Sequence, residues 1–498
     1  MKIKNFYLNS KDQVVVKIVN EILNLFKIEV VDDLEQIEKY HTFSVENTIL
    51  EDGQKTRVRT RFIARDNQEK SIEFFQEAQM QMDENIKPAV RRLIKRNLYD
   101  IFSKFLCMPL APWGILHGVR PTKIVHKFID RGFQQTAIVE RLRNDYAVSA
   151  KKADLVTSLA FKQRSFLATS DYRKVSVYIG IPFCLSKCLY CSFTSYLLPQ
   201  EEKLKQFLAV LYKDIAAAEA EIKKHKLNVQ NIYIGGGTPT SLPNKEFDEF
   251  LNVVHEKFFM SETVEFTVEA GRPDSVNSGK IASMVRYGVN RVSVNPQTMQ
   301  EKTLKHIGRK HTTQAIIELF DNFRQAGIKN INMDVIIGLP GEIADDVKDT
   351  MKRIEQLNPD NLTVHTLALK KGSRLKLNLD MYQLPDDETT LAMFDITAAS
   401  AKTMNMEPYY LYRQGYMRGN LENIGYSKRG AEGLYNIQVM EERQTIIGIG
   451  PSATTKAIDT KHWTMETSFQ PKDLITYIQN IDKYMQRRQV LLESLFSK

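Results

Sequence analysis

Between residues 171 and 370 the chain alternates short apolar runs with longer stretches in which apolar residues recur every three or four positions. The short runs at 175–181, 231–234, 263–268, 291–294, 331–337 and 362–367 read as strands. Between the first of them, Leu204, Phe207, Leu208, Leu211 and Ile215, and then Phe247, Phe250, Leu251 and Val254, mark helices that bury one stripe. Six βα units with short turns predict a parallel sheet covered by helices, and a partial (β/α)6 barrel is its economical closure.

The flanks follow a different pattern. Residues 55–63 alternate like a strand, 71–106 carry helical periodicity, two prolines and two glycines break the pattern over 111–123, and helical signals resume to 164. An α+β module over 1–170 is expected, with the run from Trp113 to Lys123 either a surface contact or a structural turn. After the barrel segment, 171–380, a mostly helical domain is expected over 381–498, opening with a helix at 386–405 and closing with terminal helices from 457. The stretches 409–414, 419–423 and 445–453 lie between them, and 448–453 is glycine-rich enough to let backbone approach a ligand or to form a buried turn.

Composition narrows this picture. A chain of 498 residues is too long for one ordinary core, and 43% hydrophobic with 26% charged residues is the balance of a water-soluble globular protein. No apolar run reaches the ~20 residues of a membrane span, and the first residues lack the apolar core of a signal peptide, so the cytoplasm is the expected compartment. The net charge of +9 is spread along the chain without a Lys/Arg block; it does not call for nucleic acid, and a monomer is expected.

The chemistry concentrates in one place. Three of the four cysteines, Cys184, Cys188 and Cys191, fall within eight residues directly after the first predicted strand, while Cys107 lies far upstream. Thiolates in one loop select an iron-sulfur cluster or zinc. A zinc knuckle wants a fourth short-range ligand, and no His occurs between Cys191 and His225. A 4Fe-4S cubane on three thiolates keeps one iron open for the amino and carboxylate groups of S-adenosylmethionine (SAM), whose sulfonium bond an electron can then break to give a 5′-deoxyadenosyl radical. Four cysteines in so long a chain argue against a disulfide framework.

Catalytic residues of such sheets sit at the carboxyl ends of strands. There the chain places Gly235, Gly236, Gly237 and Thr238 after strand two, Glu269 at the end of strand three, Gln297 after strand four and Ala368 after strand six, with Asp334 within strand five. Glycine amides can hold the methionine end of SAM, Arg309 offers a donor fork to its carboxylate, and Glu269, Gln297 and Asp334 suit ribose hydroxyls or the amino group. Singly, each also fits a plain structural part: a tight turn for the glycines, a hydrogen-bonded strand residue for Asp334.

The cysteine spacing, the preceding Tyr178-Ile179-Gly180-Ile181-Pro182-Phe183 and these strand-end motifs resemble the radical SAM enzymes, and within them the oxygen-independent coproporphyrinogen III oxidase family, over roughly residues 171–455. The resemblance implies a radical SAM barrel closed by the carboxy-terminal domain. It implies cluster ligation by Cys184, Cys188 and Cys191, and SAM contacts at Tyr178, Tyr190, Gly236, Gly237, Thr238, Glu269, Gln297, Arg309, Asp334 and Ala368. The implied reaction converts propionates of coproporphyrinogen III into vinyl groups with loss of CO2, giving protoporphyrinogen IX. An electron-donor protein such as a flavodoxin or ferredoxin supplies the electron.

A tetracarboxylate tetrapyrrole calls for a basic lining, for which Lys370, Lys371, Arg374, Arg413, Arg418, Lys428 and Arg429 are candidates. Phe193 stands where the well-studied oxidases carry a fourth cysteine, and 435–439 lacks the His-Asn pair of the haem chaperones; with the long first module, the chain is most similar to the coproporphyrinogen dehydrogenase branch. The alternative is a haem-binding or haem-delivering protein, or a haem-modifying enzyme, with His117, His311 or His365 as iron ligand.

Overall fold

The computed structural model describes residues 5–8, 13–26, 28–31, 42–52, 55–65, 71–80, 85–107, 111–116, 118, 120–167, 171–370, 372–414 and 420–497. The chain divides into two compact units, Met1–Phe161 and Lys162–Lys498.

The first unit is an α+β module. Its sheet runs in the order β2-β1-β3-β4-β5, from β1 (Asn5–Leu8), β2 (Glu29–Val31), β3 (Thr42–Asp52), β4 (Lys55–Arg65) and β5 (Ser71–Gln79). Helices Gln13–Leu25 and Ile86–Leu106 bury Ile18, Ile22, Leu98 and Phe102 with Phe62 of β4 in one core. Residues 71–79 are a strand, not the start of a helix as their spacing suggested. Ile72, Phe75 and Ala78 fit a three-residue repeat, yet pairing with β4 from Arg65↔Ser71 to Arg57↔Gln79 and the ion pairs Arg59–Glu77 and Arg61–Glu73 fix the extended form. Trp113 is fully buried and Gly114 adopts φ +51 against the Tyr146 carbonyl, so this part of the 111–123 run is a structural turn.

The second unit is built on one eleven-stranded sheet. Six of its parallel strands are β6 (Lys174–Ile181), β9 (Asn228–Gly236), β10 (Glu265–Glu269), β11 (Arg291–Gln297), β12 (Asn330–Ile337) and β13 (Asn361–Thr366). They match the six expected runs, and helices such as Glu201–Lys224 and Asn244–Phe258 bury the expected stripes. Two short strands, β7 (Phe183–Cys184) and β8 (Tyr196–Leu197), pair beside the cysteine loop.

The last 120 or so residues contain more helix than strand, as expected, but their strands β14 (Glu407–Tyr412), β15 (Asn423–Ser427), β16 (Thr445–Ile449), β17 (Thr454–Asp459) and β18 (Thr464–Phe469) all join the barrel sheet. β15 pairs antiparallel with β13 at one side, and β16 pairs parallel with β6 at the other. The terminal-helix reading from 457 is therefore corrected: β17 and β18 precede the single helix Leu474–Phe496. β18 is an edge strand with most of its side chains in solvent, so no apolar alternation announced it. Helix Glu201–Lys224 and the terminal helix meet at Asp214, which is fully buried, ion-pairs with Arg488 at 2.7 Å and accepts from the Tyr477 hydroxyl at 2.9 Å and the Gly450 amide at 3.0 Å.

Candidate active site

The carboxyl end of β6 leads into the cysteine loop, which is held by its neighbours. Leu189 donates its amide to the Ile307 carbonyl at 2.9 Å and accepts from the Leu375 amide at 3.0 Å. Beneath it, Gly236 takes φ +111, and a Cβ on Gly237 would stand 2.5 Å from the Phe183 carbonyl oxygen and 3.1 Å from Cys184 Sγ. Only glycine lets the end of β9 pack this closely under the loop. The amides of Gly237 and Thr238 donate to the carbonyls of Ile181 and Phe183 at 2.8 and 2.7 Å, and the Thr238 hydroxyl lies 3.5 Å from Cys184 Sγ. The Gly237 and Thr238 amides therefore brace the cysteine loop.

A cavity of about 350 Å3 opens at the strand ends, within the range of small-molecule sites. Cys184, Cys188, Cys191, Tyr190, Gly236, Gly237, Thr238, Glu269, Gln297, Arg309, Asp334 and Ala368 all line it. Tyr178 does not; its ring stacks with Tyr233 and Tyr435 at 6.1 and 6.3 Å. Among the described residues no three of His, Cys, Asp or Glu converge tightly enough to hold a single metal ion. A cubane asks for something else, since each thiolate takes a different iron.

Glu269 accepts from the Tyr233 hydroxyl at 2.7 Å, and burial, reinforced by Asp334, pushes its carboxyl up to about 7. Gln297, at a register shift between β11 and β12, holds φ +66, and its buried Oε1 has no partner. A left-handed non-glycine residue with an orphaned acceptor beside a cavity fits a ligand donor. Arg309 donates to the carbonyls of Asn295 and Gly271 at 2.6 and 3.0 Å and to the Tyr190 hydroxyl at 3.3 Å, with Nε unpartnered. It thus clamps two strand ends to the cysteine loop while facing the cavity. Burial works on Cys191 to raise its thiol, with Cys188 and Cys184 adding to the effect. A metal would remove that penalty by binding the thiolate.

The cavity has a second wall, of which the sequence had singled out only Asp334 and His365. Its residues alternate along neighbouring strands: Ser293 and Asn295 on β11, Asn332 and Asp334 on β12, Thr363 and His365 on β13, Tyr410 and Tyr412 on β14. They are tied across the sheet. Ser293 donates to Asn295 at 2.6 Å, Asn332 to Ser293 and Asp334 at 2.8 and 2.7 Å, and Thr363 to Asn332 at 2.9 Å. A period of two polar residues inside otherwise apolar strands was the available signal.

The comparisons with known proteins agree with this geometry. The radical SAM superfamily model matches residues 178–354. The chain is 40% identical over 392 residues, 78% of each chain, to the oxygen-independent coproporphyrinogen-III oxidase-like protein HemZ of Bacillus subtilis. It belongs to that family of radical SAM enzymes. The heme chaperone HemW of Escherichia coli is 29% identical over 290 residues, 57% of this chain and 70% of that one. Among solved structures, the coproporphyrinogen III oxidase HemN of Escherichia coli shares the fold, with TM-score 0.52 at 21% identity over 68% of this chain and 82% of that one.

As a radical SAM oxidoreductase, the chain uses SAM and a 4Fe-4S cluster. The thiol trio, the glycine cradle under it and the orphaned Gln297 acceptor fit these groups. No helix of the described residues is long and apolar enough to cross a membrane.

Among the described residues of the expected basic lining, only Lys370 faces the cavity, beside the Phe193 ring. Arg374 donates to the Lys187 carbonyl, Arg413 is buried against Asn420, and Lys428 donates to the Asn358 carbonyl; Arg429 is not on the cavity wall. Lys371, Arg418 and His117 lie outside the described residues.

Proposed function

We propose that the chain carries out oxygen-independent oxidative decarboxylation of coproporphyrinogen III, converting propionates into vinyl groups on the way to protoporphyrinogen IX. The observation that carries this reading is the single cavity in which the three cysteines meet Glu269, Gln297, Arg309 and Asp334, in a chain so similar to HemZ. When bound, the cluster and SAM supply a carbon radical that takes one hydrogen atom from the substrate. The protein's own residues then have defined tasks. Cys184, Cys188 and Cys191 hold the cluster, Glu269 pairs with the SAM ammonium, Arg309 faces its carboxylate, and Gln297 and Asp334 meet its hydroxyls. The barrel walls keep water away. A flavodoxin or ferredoxin as donor, a cytoplasmic location and a monomeric state complete the proposal.

The haem-delivery alternative has less support. His365 is engaged by Asp334 and Tyr412, and His311 is buried off the cavity, its imidazole held down to about 4 by burial and by Arg309. Of the two, His311 does not reach the cavity, and His365 reaches it with both ring nitrogens already engaged.

Anaerobic turnover with SAM, a reductant and coproporphyrinogen deuterated at the propionate β-carbons tests the reading. The expected products are CO2 and 5′-deoxyadenosine that has gained deuterium. Cleavage of SAM with every propionate intact would sink it.

Glu269 gives a separate check. Its carboxyl must be ionised to hold an ammonium group, so SAM affinity should fall as pH drops below about 7, where the free protein protonates it. Glu269→Gln should bind SAM about ten- to hundredfold more weakly at pH 8 and lose that pH dependence, with cluster absorbance unchanged. Wild-type affinity in the variant would remove Glu269 from the SAM site.

A further inference from the structure

The cationic side chains on the cavity wall crowd at its cysteine end. Arg272 ion-pairs with Asp274 and donates to Ser186, Arg309 reaches Tyr190, and Lys370 lies beside Phe193. The opposite wall holds one carboxylate, Asp334, and one group able to become a cation, His365. His365 Nε2 lies 3.5 Å from Asp334 Oδ2, and Nδ1 lies 3.3 Å from the Tyr412 hydroxyl. A nitrogen facing a carboxylate carries the hydrogen, so in the neutral ring Nδ1 is the acceptor and Tyr412 donates to it. Asp334, on the adjacent β12, and Tyr412, on β14 one strand beyond β15, are the titratable groups that face the imidazole. Tyr412 stays a phenol, because burial pushes it up to about 12.

We propose that His365 receives the reacting carboxyl group of the substrate, taking its proton on Nδ1 while Asp334 holds the imidazolium through Nε2. The inference rests on the decarboxylation reading and assigns the group that makes it work. CO2 leaves from a carboxylate, yet a carboxyl group brought into this cavity beside Asp334 is pushed toward its neutral acid by burial and like charge. Transfer of its proton to Nδ1 breaks one O–H bond, forms one N–H bond and moves no electron. The substrate arm becomes a carboxylate facing Nδ1–H, and the Tyr412 hydroxyl, released from Nδ1, donates to the same carboxylate. The site therefore recognises a carboxylate arm and rejects its ester.

Binding of coproporphyrin III and of its tetramethyl ester to protein purified without oxygen, followed by fluorescence, tests this. In His365→Gln, which can donate but cannot take a proton, the dissociation constant for the tetra-acid should rise at least about tenfold, and that for the ester by less than about twofold. Tyr412→Phe should show the same acid-selective loss at about threefold. Cluster absorbance should stay at the wild-type value in both. Equal losses for acid and ester would mean a structural role and overturn the assignment, as would an unchanged tetra-acid affinity or wild-type protein that binds neither ligand. Should wild type keep every propionate while His365→Gln still loses acid selectively, the carboxylate site stands and the decarboxylase reading falls.

Discussion

Replacing Cys184, Cys188 or Cys191 by Ala should leave the anaerobically purified protein with almost no iron, while Cys107→Ala keeps the wild-type load. The three residues line one cavity, whereas Cys107 is exposed in the other compact unit, at the end of helix Ile86–Leu106. A cubane held by three thiolates cannot lose one and remain bound with comparable affinity, since nothing else in the loop offers a thiolate. Phe193, two residues after Cys191, has no donor atom in its side chain, so it offers no substitute. Iron and sulfide counts check this, and retention of iron in any of the three variants with loss in Cys107→Ala would overturn the ligand assignment. Burial raises the Cys191 thiol in cluster-free protein, and the loss in Cys191→Ala should be as complete as in the others.

The second large effect is on stability. Asp214→Ala should lower the unfolding free energy by about 3–5 kcal/mol, because it leaves the fully buried Arg488 guanidinium without its carboxylate. The same change removes the acceptor of the Tyr477 hydroxyl and the Gly450 amide. The double variant Asp214→Leu, Arg488→Met should recover most of that loss, since a buried pair replaced whole by apolar groups is often neutral. Denaturant titration of cluster-free protein reads both. A single variant within about 0.5 kcal/mol of wild type, the range of ordinary surface changes, would show that the pair is not structurally important.

The six parallel strands and the cysteine loop were legible because each carries a local signal: apolar runs of strand length, and a ligand spacing set by one loop. The same local view misled where long-range pairing decides. Ser71–Gln79 carries a helix-compatible spacing, yet eleven-residue β4 beside it imposes the extended form. β16 reads as a short apolar segment, and nothing in Thr-Ile-Ile-Gly-Ile says that it will pair with β6, some 270 residues earlier. The cavity residues divide in the same way. Glu269, Gln297 and Ala368 follow from the strand-end rule, while His365 and Tyr412 matter because two distant strands place them 3.3 Å apart. Gly237 was noticed for the right reason, room for backbone, but the backbone that approaches it is Phe183.

The pairing of β6 with β16 also sets a timetable. The strand that launches the cysteines is complete on one side only when Thr445–Ile449 has been made, and Gly450 must then fit against the Gly180 backbone. A ribosome adds roughly 250 residues after Cys191 before that strand emerges, on the order of 10–50 s of synthesis. Throughout that interval the three thiols are presented by an unfinished sheet. A cluster assembled before that point would sit on a loop whose launching strand still lacks one of its two neighbours.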